Sequence, residues 1–286
     1  MKKKFTLAYS TCPNDTFIFN AMVNGLIHEE GISFDVTLED VETLNLRALK
    51  GEFDITKLSF AAFGVLRDKY ALLKSGAAIG RGCGPLVVAP WGKSLRWENK
   101  RPSVAVPGMG TTAFVLFTLF IKDMFPDIEP GITAIPFEKI MPSVMAGEYD
   151  LGVVIHEGRF IYKNMGLDAL VDLGQWWEEM SGLPIPLGCI AVKRELGSGI
   201  ALKVENLIRK SIAHAWRNPD LAMPYIREHA QELDESVIRE HIKLYVNEFS
   251  MDMGDEGERA VHALYEKGER AGIMPKNKLP LFAHGG

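Results

Sequence analysis

Apolar residues along the chain alternate between two periods. Phe5 to Ser10 and Ile32 to Leu38 read as strands. Asp15 to Asn24 and Val41 to Lys50 repeat at helical spacing, and Phe53 to Leu58 reads as a further short strand. This strand–helix succession predicts an α/β fold with a mainly parallel sheet and helices on both faces. The pattern then returns. Ser103 to Val106 is a strand, Thr112 to about Phe125 a long apolar helix, and Gly131 to Pro136 extended. Ile140 to Gly147 is helical and Tyr149 to Ile155 a strand.

The two stretches keep step. Gly51-Glu52-Phe53-Asp54 matches Gly147-Glu148-Tyr149-Asp150 at an offset of 96 residues (54 to 150), and the same offset carries Thr16 onto Thr112. Two α/β lobes of one plan are expected, with a ligand cleft at the carboxyl ends of their strands. Gly84 to Pro90 and Leu187 to Val192 read as crossover strands, and the remainder of the chain is helical: Ile200–Trp216, Pro219–Ala230, Glu235–Val246 and Glu256–Ala271. The expected division is therefore discontinuous, 1–90 with 190–286 as one lobe and 91–189 inserted as the other. A double crossover suggests a hinge.

Composition narrows the function. A net charge of −5 and a pI near 5.9 leave no basic footprint for nucleic acid. The longest apolar run, Ala113 to Ile121, is far shorter than the roughly 20 residues of a membrane span. No secretory leader pattern precedes the first strand, so a cytoplasmic location is expected. Cys12, Cys83 and Cys189 are widely spaced, fit no zinc pattern and read as reduced thiols.

Chemistry concentrates at the strand tips. In Cys12-Pro13-Asn14-Asp15-Thr16 a helix begins straight after a strand. Asn14 or Asp15 can cap it, or its free N–H groups can face an anion. Gly108-Met109-Gly110-Thr111-Thr112 combines close backbone approach with two hydroxyls at a helix start, a seat for a carboxylate or phosphate. It lacks the Gly-Lys-Thr ending of a P-loop and the third glycine of a dinucleotide fingerprint. In Lys57-Leu58-Ser59, alternation puts Lys57 and Ser59 on one side and Leu58 on the other. Val153-Val154-Ile155 gives way abruptly to His156-Glu157-Gly158-Arg159, and a histidine at a central strand end is placed for proton transfer. Glu157 can orient that imidazole or pair with Arg159. The glycine-rich stretch Gly80 to Pro85 is a hinge or a close approach to ligand, and Cys83 within it has no histidine partner by spacing. Trp176 and Trp177 can wall an aromatic ligand or pack in the core. The remaining histidines, His241 among them, read as solvated or packing residues.

These segments resemble the family that contains 1,4-dihydroxy-6-naphthoate synthase and chorismate dehydratase. The resemblance runs from Cys12-Pro13-Asn14-Asp15-Thr16 to Pro186-Leu187-Gly188, and Val153 to Phe160 with Tyr162 resembles the naphthoate-synthase branch. Ile161 departs from that branch's pattern. The resemblance implies a type II periplasmic-binding-protein-like fold with a cleft between lobes. It implies a lyase that converts cyclic dehypoxanthine futalosine to 1,4-dihydroxy-6-naphthoate, with no metal and no redox cofactor. His156 is then the proton acceptor. Lys57, Leu58, Ser59, Thr111 and Thr112, with Asn14 and Arg159 at the neighbouring tips, contact a small carboxylate substrate. A homodimer is left open. The alternatives are a chorismate dehydratase-like lyase and a non-enzymatic small-anion-binding protein of the same fold.

Overall fold

The computed structural model describes residues 3–93, 101–231 and 234–284. The chain opens with strand β1 (Lys3–Ser10), helix α1 (Pro13–Val23), β2 (Ile32–Glu39), α2 (Val41–Leu49), β3 (Ile55–Ser59) and α3 (Phe60–Val65). Short strands β4 (Tyr70–Leu72) and β5 (Ala78–Gly80) lead to β6 (Leu86–Pro90). The repeat follows as β7 (Ser103–Val106), α4 (Thr112–Met124), β8 (Gly131–Ala134), α5 (Phe137–Met145), β9 (Leu151–Val154) and α6 (Gly158–Ile161). Next come β10 (Leu167–Asp172), α7 (Leu173–Ser181) and β11 (Ile185–Lys193). The chain closes with α8 (Gly197–Arg217), α9 (Pro219–His229), α10 (Glu235–Tyr245), α11 (Glu248–Met251) and α12 (Gly254–Arg270).

Two mixed sheets result, one per lobe. The first runs β2-β1-β3-β11-β4 with β5 also on β11, and the second runs β10-β6-β9-β7-β8. Within each, the same four-strand pattern recurs. β2-β1-β3 and β8-β7-β9 are parallel, and each set is completed by an antiparallel strand, β11 on β3 and β6 on β9. The lobes are therefore closed by strands that the chain supplies on its way across.

That exchange fixes the sheet that each crossover strand joins. Leu86–Pro90 lies in the second sheet, although its position in the chain groups it with the first lobe, and Ile185–Cys189 lies in the first. An apolar strand reads the same in either sheet, so pattern alone does not say which neighbour it joins. Residues 1–2, 94–100, 232–233 and 285–286 lie outside the described residues.

The 96-residue echo has a concrete cause. Asp54 accepts from the Thr6 N–H at 3.0 Å while the Asp54 N–H donates to the Thr6 hydroxyl at 2.8 Å. Asp150 does the same with Ser103, at 2.9 and 3.0 Å. Each aspartate locks the entry of a central strand to its neighbour. Gly51 (φ 71°) and Gly147 (φ 77°) end α2 and α5 in the left-handed region, which glycine enters without steric cost. A Gly-Glu-aromatic-Asp run thus encodes helix stop, turn and strand lock in each lobe.

Helices α1, α8, α9 and α10 cover one face of the first sheet with Phe17, Ile18, Ile208, Ile212, Ile226 and Ile242. A second cluster covers the other face and continues into the second lobe through Leu116, Phe117 and Trp177. Gly84 and Gly174 meet backbone to backbone: a Cβ on Gly84 would lie 2.3 Å from Gly174 Cα. The glycine-rich stretch is therefore a close packing contact between chain segments. Gly84→Ala is expected to cost about 1–3 kcal/mol, since backbone cannot yield as a side-chain tip can. Gly199→Ala, where a Cβ meets nothing within 4 Å, is the control and should leave the melting temperature unchanged or slightly raised. Equal melting of both variants in a thermal scan would contradict the contact.

Candidate active site

The tips of β1, β3 and β9 and the start of α4 converge on a cavity with about 670 Å³ of free space counted to its mouth. Ser10, Asn14, Asp15, Lys57, Ser59, Thr111, Thr112 and His156 line it, joined by Cys83, Leu187, His241 and Tyr245 among others. Sequence neighbours on β3 split as strand alternation requires. Lys57 and Ser59 face the cavity, while Leu58 is fully buried in the core behind them. Leu58 is therefore not a side-chain ligand contact.

Lys57 and Asp15 form an ion pair at 2.6 Å, with side chains 5% and 1% exposed. The other Asp15 contacts complete its carboxylate. Asn14 Nδ2 donates to Oδ1 at 2.8 Å, and the Ser10 hydroxyl and N–H donate to Oδ2 at 2.7 and 3.2 Å. A buried charge pair whose carboxylate oxygens are both hydrogen-bonded is a rigid object. Gly188 gives Lys57 room, since a Cβ there would sit 3.0 Å from the lysine stem.

His156 follows β9 with φ 53°, the positive-φ non-glycine residue of the described chain. A left-handed backbone costs a non-glycine residue roughly 1–2 kcal/mol and tends to persist where geometry matters more than stability. The turn throws the imidazole back across the cleft, where Nδ1 lies 3.3 Å from the Cys12 sulfur. Its ring meets Phe137 edge-on at 4.9 Å. Burial pushes the His156 pKa below its ordinary value, opposed by the charges of Glu157 and Asp15. Burial, reinforced by the Glu157 charge, holds the Cys12 thiol well above its usual range, so it stays protonated. A neutral imidazole beside a neutral thiol is suited to accepting a proton from a bound molecule.

The two threonines at the start of α4 are already committed. Thr111 caps the helix by accepting from the Phe114 N–H at 3.2 Å, and the Thr112 hydroxyl donates to the Leu187 carbonyl at 2.8 Å. The anion seat at Gly110 is also taken. Its N–H donates to the Glu42 carboxylate at 3.1 Å, and Asn45 ties Glu42 to Ser59. An acid of the protein itself therefore occupies this position, reaching from the first lobe to the second.

Arg159 points elsewhere. It pairs with Asp172 at 2.6 Å and donates to the Gly84 carbonyl at 2.7 Å. It does not line the cavity, and its partner is Asp172 rather than Glu157. The reason is local: Asp172 caps α7 with one oxygen, which leaves the other for the guanidinium. Trp177 is fully buried with its indole N–H on the Pro184 carbonyl, and Trp176 packs edge-on against Phe120, so neither walls the cleft. Cys83 is buried, with its pKa pushed up to about 12, which removes it as a nucleophile. No group of His, Cys, Asp and Glu among the described residues is arranged to hold a metal ion.

The sequence assigns no role to Cys12 and leaves His241 as a solvated or packing residue. The signal for His241 was present: Ile238, His241, Ile242 and Tyr245 recur at helical spacing, so the histidine shares the buried stripe of α10.

A family model described as menaquinone biosynthesis matches residues 5–270. The chain belongs to the menaquinone-biosynthesis family. Within that family it is 47% identical over 276 residues to a 1,4-dihydroxy-6-naphthoate synthase of Thermus thermophilus, covering 96% of this chain and 98% of that one. It is 42% identical over 269 residues to the Streptomyces coelicolor protein of the same name, covering 94% of each. Among solved structures, protein AF1704 of Archaeoglobus fulgidus superposes with a TM-score of 0.87 at 34% identity, over 95% of this chain and 98% of that one. The alkanesulfonate-binding protein SsuA of Xanthomonas axonopodis superposes with a TM-score of 0.73 at 12% identity, over 98% and 97%. That likeness shows the fold: this menaquinone-biosynthesis protein has the two-lobed periplasmic-binding-protein architecture. No helix among the described residues is long and apolar enough to cross a membrane.

Proposed function

We propose that the protein is a cytoplasmic 1,4-dihydroxy-6-naphthoate synthase, a carbon–carbon lyase that acts on cyclic dehypoxanthine futalosine. The observation that carries the reading is His156, a half-buried imidazole with a lowered pKa that a strained turn throws into the cleft, in a chain nearly half identical to a named naphthoate synthase. In this reading the substrate lies between the lobes and Lys57 and Ser59 face its oxygens. His156 removes a proton from the bound substrate, and the skeleton breaks down to the naphthoate and a sugar fragment. Closure around the ligand keeps water out of the step.

For His156 to act as base, one ring nitrogen must be free. Donation from Nδ1–H to the Cys12 sulfur would leave Nε2 as the acceptor. Cys12 is then a positioning residue. Cys12→Ala should lower kcat about tenfold with little change in KM, and Cys12→Ser, which keeps an acceptor, should recover most of it. Equal kcat for the Ala variant and the parent would remove Cys12 from that role.

The direct experiment is incubation of pure protein with cyclic dehypoxanthine futalosine and mass detection of 1,4-dihydroxy-6-naphthoate. Binding without turnover would favour the anion-binding alternative, and turnover of chorismate instead would favour the dehydratase.

A further inference from the structure

Proton removal by His156 leaves a second imidazole in the same cavity without a task. His241 is 1% exposed and lines the cavity beside His156, the two rings 6.5 Å apart and nearly parallel. Its Nε2 lies 3.1 Å from Asn14 Oδ1. The Asn14 amide has a fixed orientation, because its Nδ2 donates to the same Asp15 oxygen that Lys57 grips. Asn14 Oδ1 can only accept, so His241 Nε2 carries the hydrogen. Burial, with His156 and Lys57 nearby, holds the His241 pKa well below its ordinary value, so the ring has one hydrogen and no more. Nδ1 is therefore a bare lone pair.

That lone pair has no hydrogen-bond partner among the described residues. The nearest hydroxyl on its own helix, Tyr245, donates to the Cys83 carbonyl at 3.2 Å. The ring's other close neighbour, Phe160, offers no donor. Buried acceptors are seldom left unpaired, and the His241 ring is part of the cavity wall, so a bound ligand can supply the missing donor.

We propose that His241 Nδ1 is a substrate-binding atom that accepts a hydrogen bond from a hydroxyl on the sugar portion of the substrate. The chain Lys57–Asp15–Asn14–His241 sets the tautomer that makes this possible. The inference rests on the lyase reading for the identity of the substrate, and its test separates the two.

Two variants divide the ring. His241→Gln places an amide where Nε2 was, keeps the Asn14 contact and removes the Nδ1 acceptor. His241→Asn places a carbonyl where Nδ1 was and gives up Asn14. A substrate contact at Nδ1 predicts a fall in kcat/KM of about 10–100-fold for Gln and a smaller fall for Asn. If His241 serves only to hold Asn14, the order reverses, and the proposal is overturned. The second measurement is the ¹⁵N spectrum of histidine-labelled His156→Ala protein, titrated with cyclic dehypoxanthine futalosine. Nδ1 of His241 is expected to be unprotonated in the free protein and to shift on titration. A protonated Nδ1, or none of its signal moving at saturation, overturns the proposal whatever the kinetics. Absence of turnover by unaltered protein with the shift present would refute the lyase reading and leave the contact standing.

Discussion

His156→Ala is expected to cut turnover of cyclic dehypoxanthine futalosine by about 10²–10⁴-fold, the usual worth of a positioned general base. The fold should survive, because the imidazole is only half-buried and meets the Cys12 sulfur, the edge of Phe137 and the face of the His241 ring rather than filling the core. His156→Gly provides an internal control. It removes the same imidazole and also releases the φ 53° strain, so it should be as inactive as the Ala variant and more stable by up to about 1 kcal/mol. The pH profile of the parent should agree. Burial disfavours the imidazolium, so His156 stays neutral to lower pH than a free imidazole, and the acid limb of kcat lies below the ordinary histidine value. The facing charges are Glu157, Asp15 and Asp40, which oppose that displacement, and Lys57, which adds to it. Near-parental turnover in purified His156→Ala protein, or an acid limb above the ordinary value, would take the base role away from this residue.

Lys57→Met should destabilise the protein by about 3–5 kcal/mol, the largest single loss expected outside the core. Removing the ammonium leaves the Asp15 carboxylate 1% exposed with neutral donors only, and an uncompensated buried charge is costly. For a chain of this size that corresponds to a fall in melting temperature of roughly 5–10 °C. The Lys57→Met, Asp15→Asn double variant should regain much of it, since the charge is gone from both sides and Ser10 and Asn14 can still bond the amide. The double variant should nevertheless be inactive, because the ammonium no longer faces the cavity. A single variant that melts within a degree of the parent would show that the pair is not a buried anchor.

Much of the fold was legible along the chain because it is written in local terms. Period-2 and period-3.6 patterns marked β1, β2, β7, α4 and α8 to within a few residues. The repeated Gly-Glu-aromatic-Asp run marked two lobes of one plan, since it specifies a helix stop and a strand lock that are themselves local. Strand alternation correctly separated Lys57 and Ser59 from Leu58. Short elements such as α6 and α11 were not legible, because four residues carry too little pattern to exceed noise.

By itself, then, the amino-acid order determined the α/β class, the doubled plan and the strand tips where chemistry gathers, since each depends on neighbours a few positions apart. Only the tertiary structure decided which groups meet. Cys12 and His156 are 144 positions apart and Asn14 and His241 are 227 apart, and nothing local links them. The same holds for Glu42 on the Gly110 N–H, Arg159 turned to Asp172, and the crossover strands that join the opposite sheet. Each of these is a choice among several chemically equivalent partners. Packing makes that choice by bringing one of them within hydrogen-bond reach and burying the pair together.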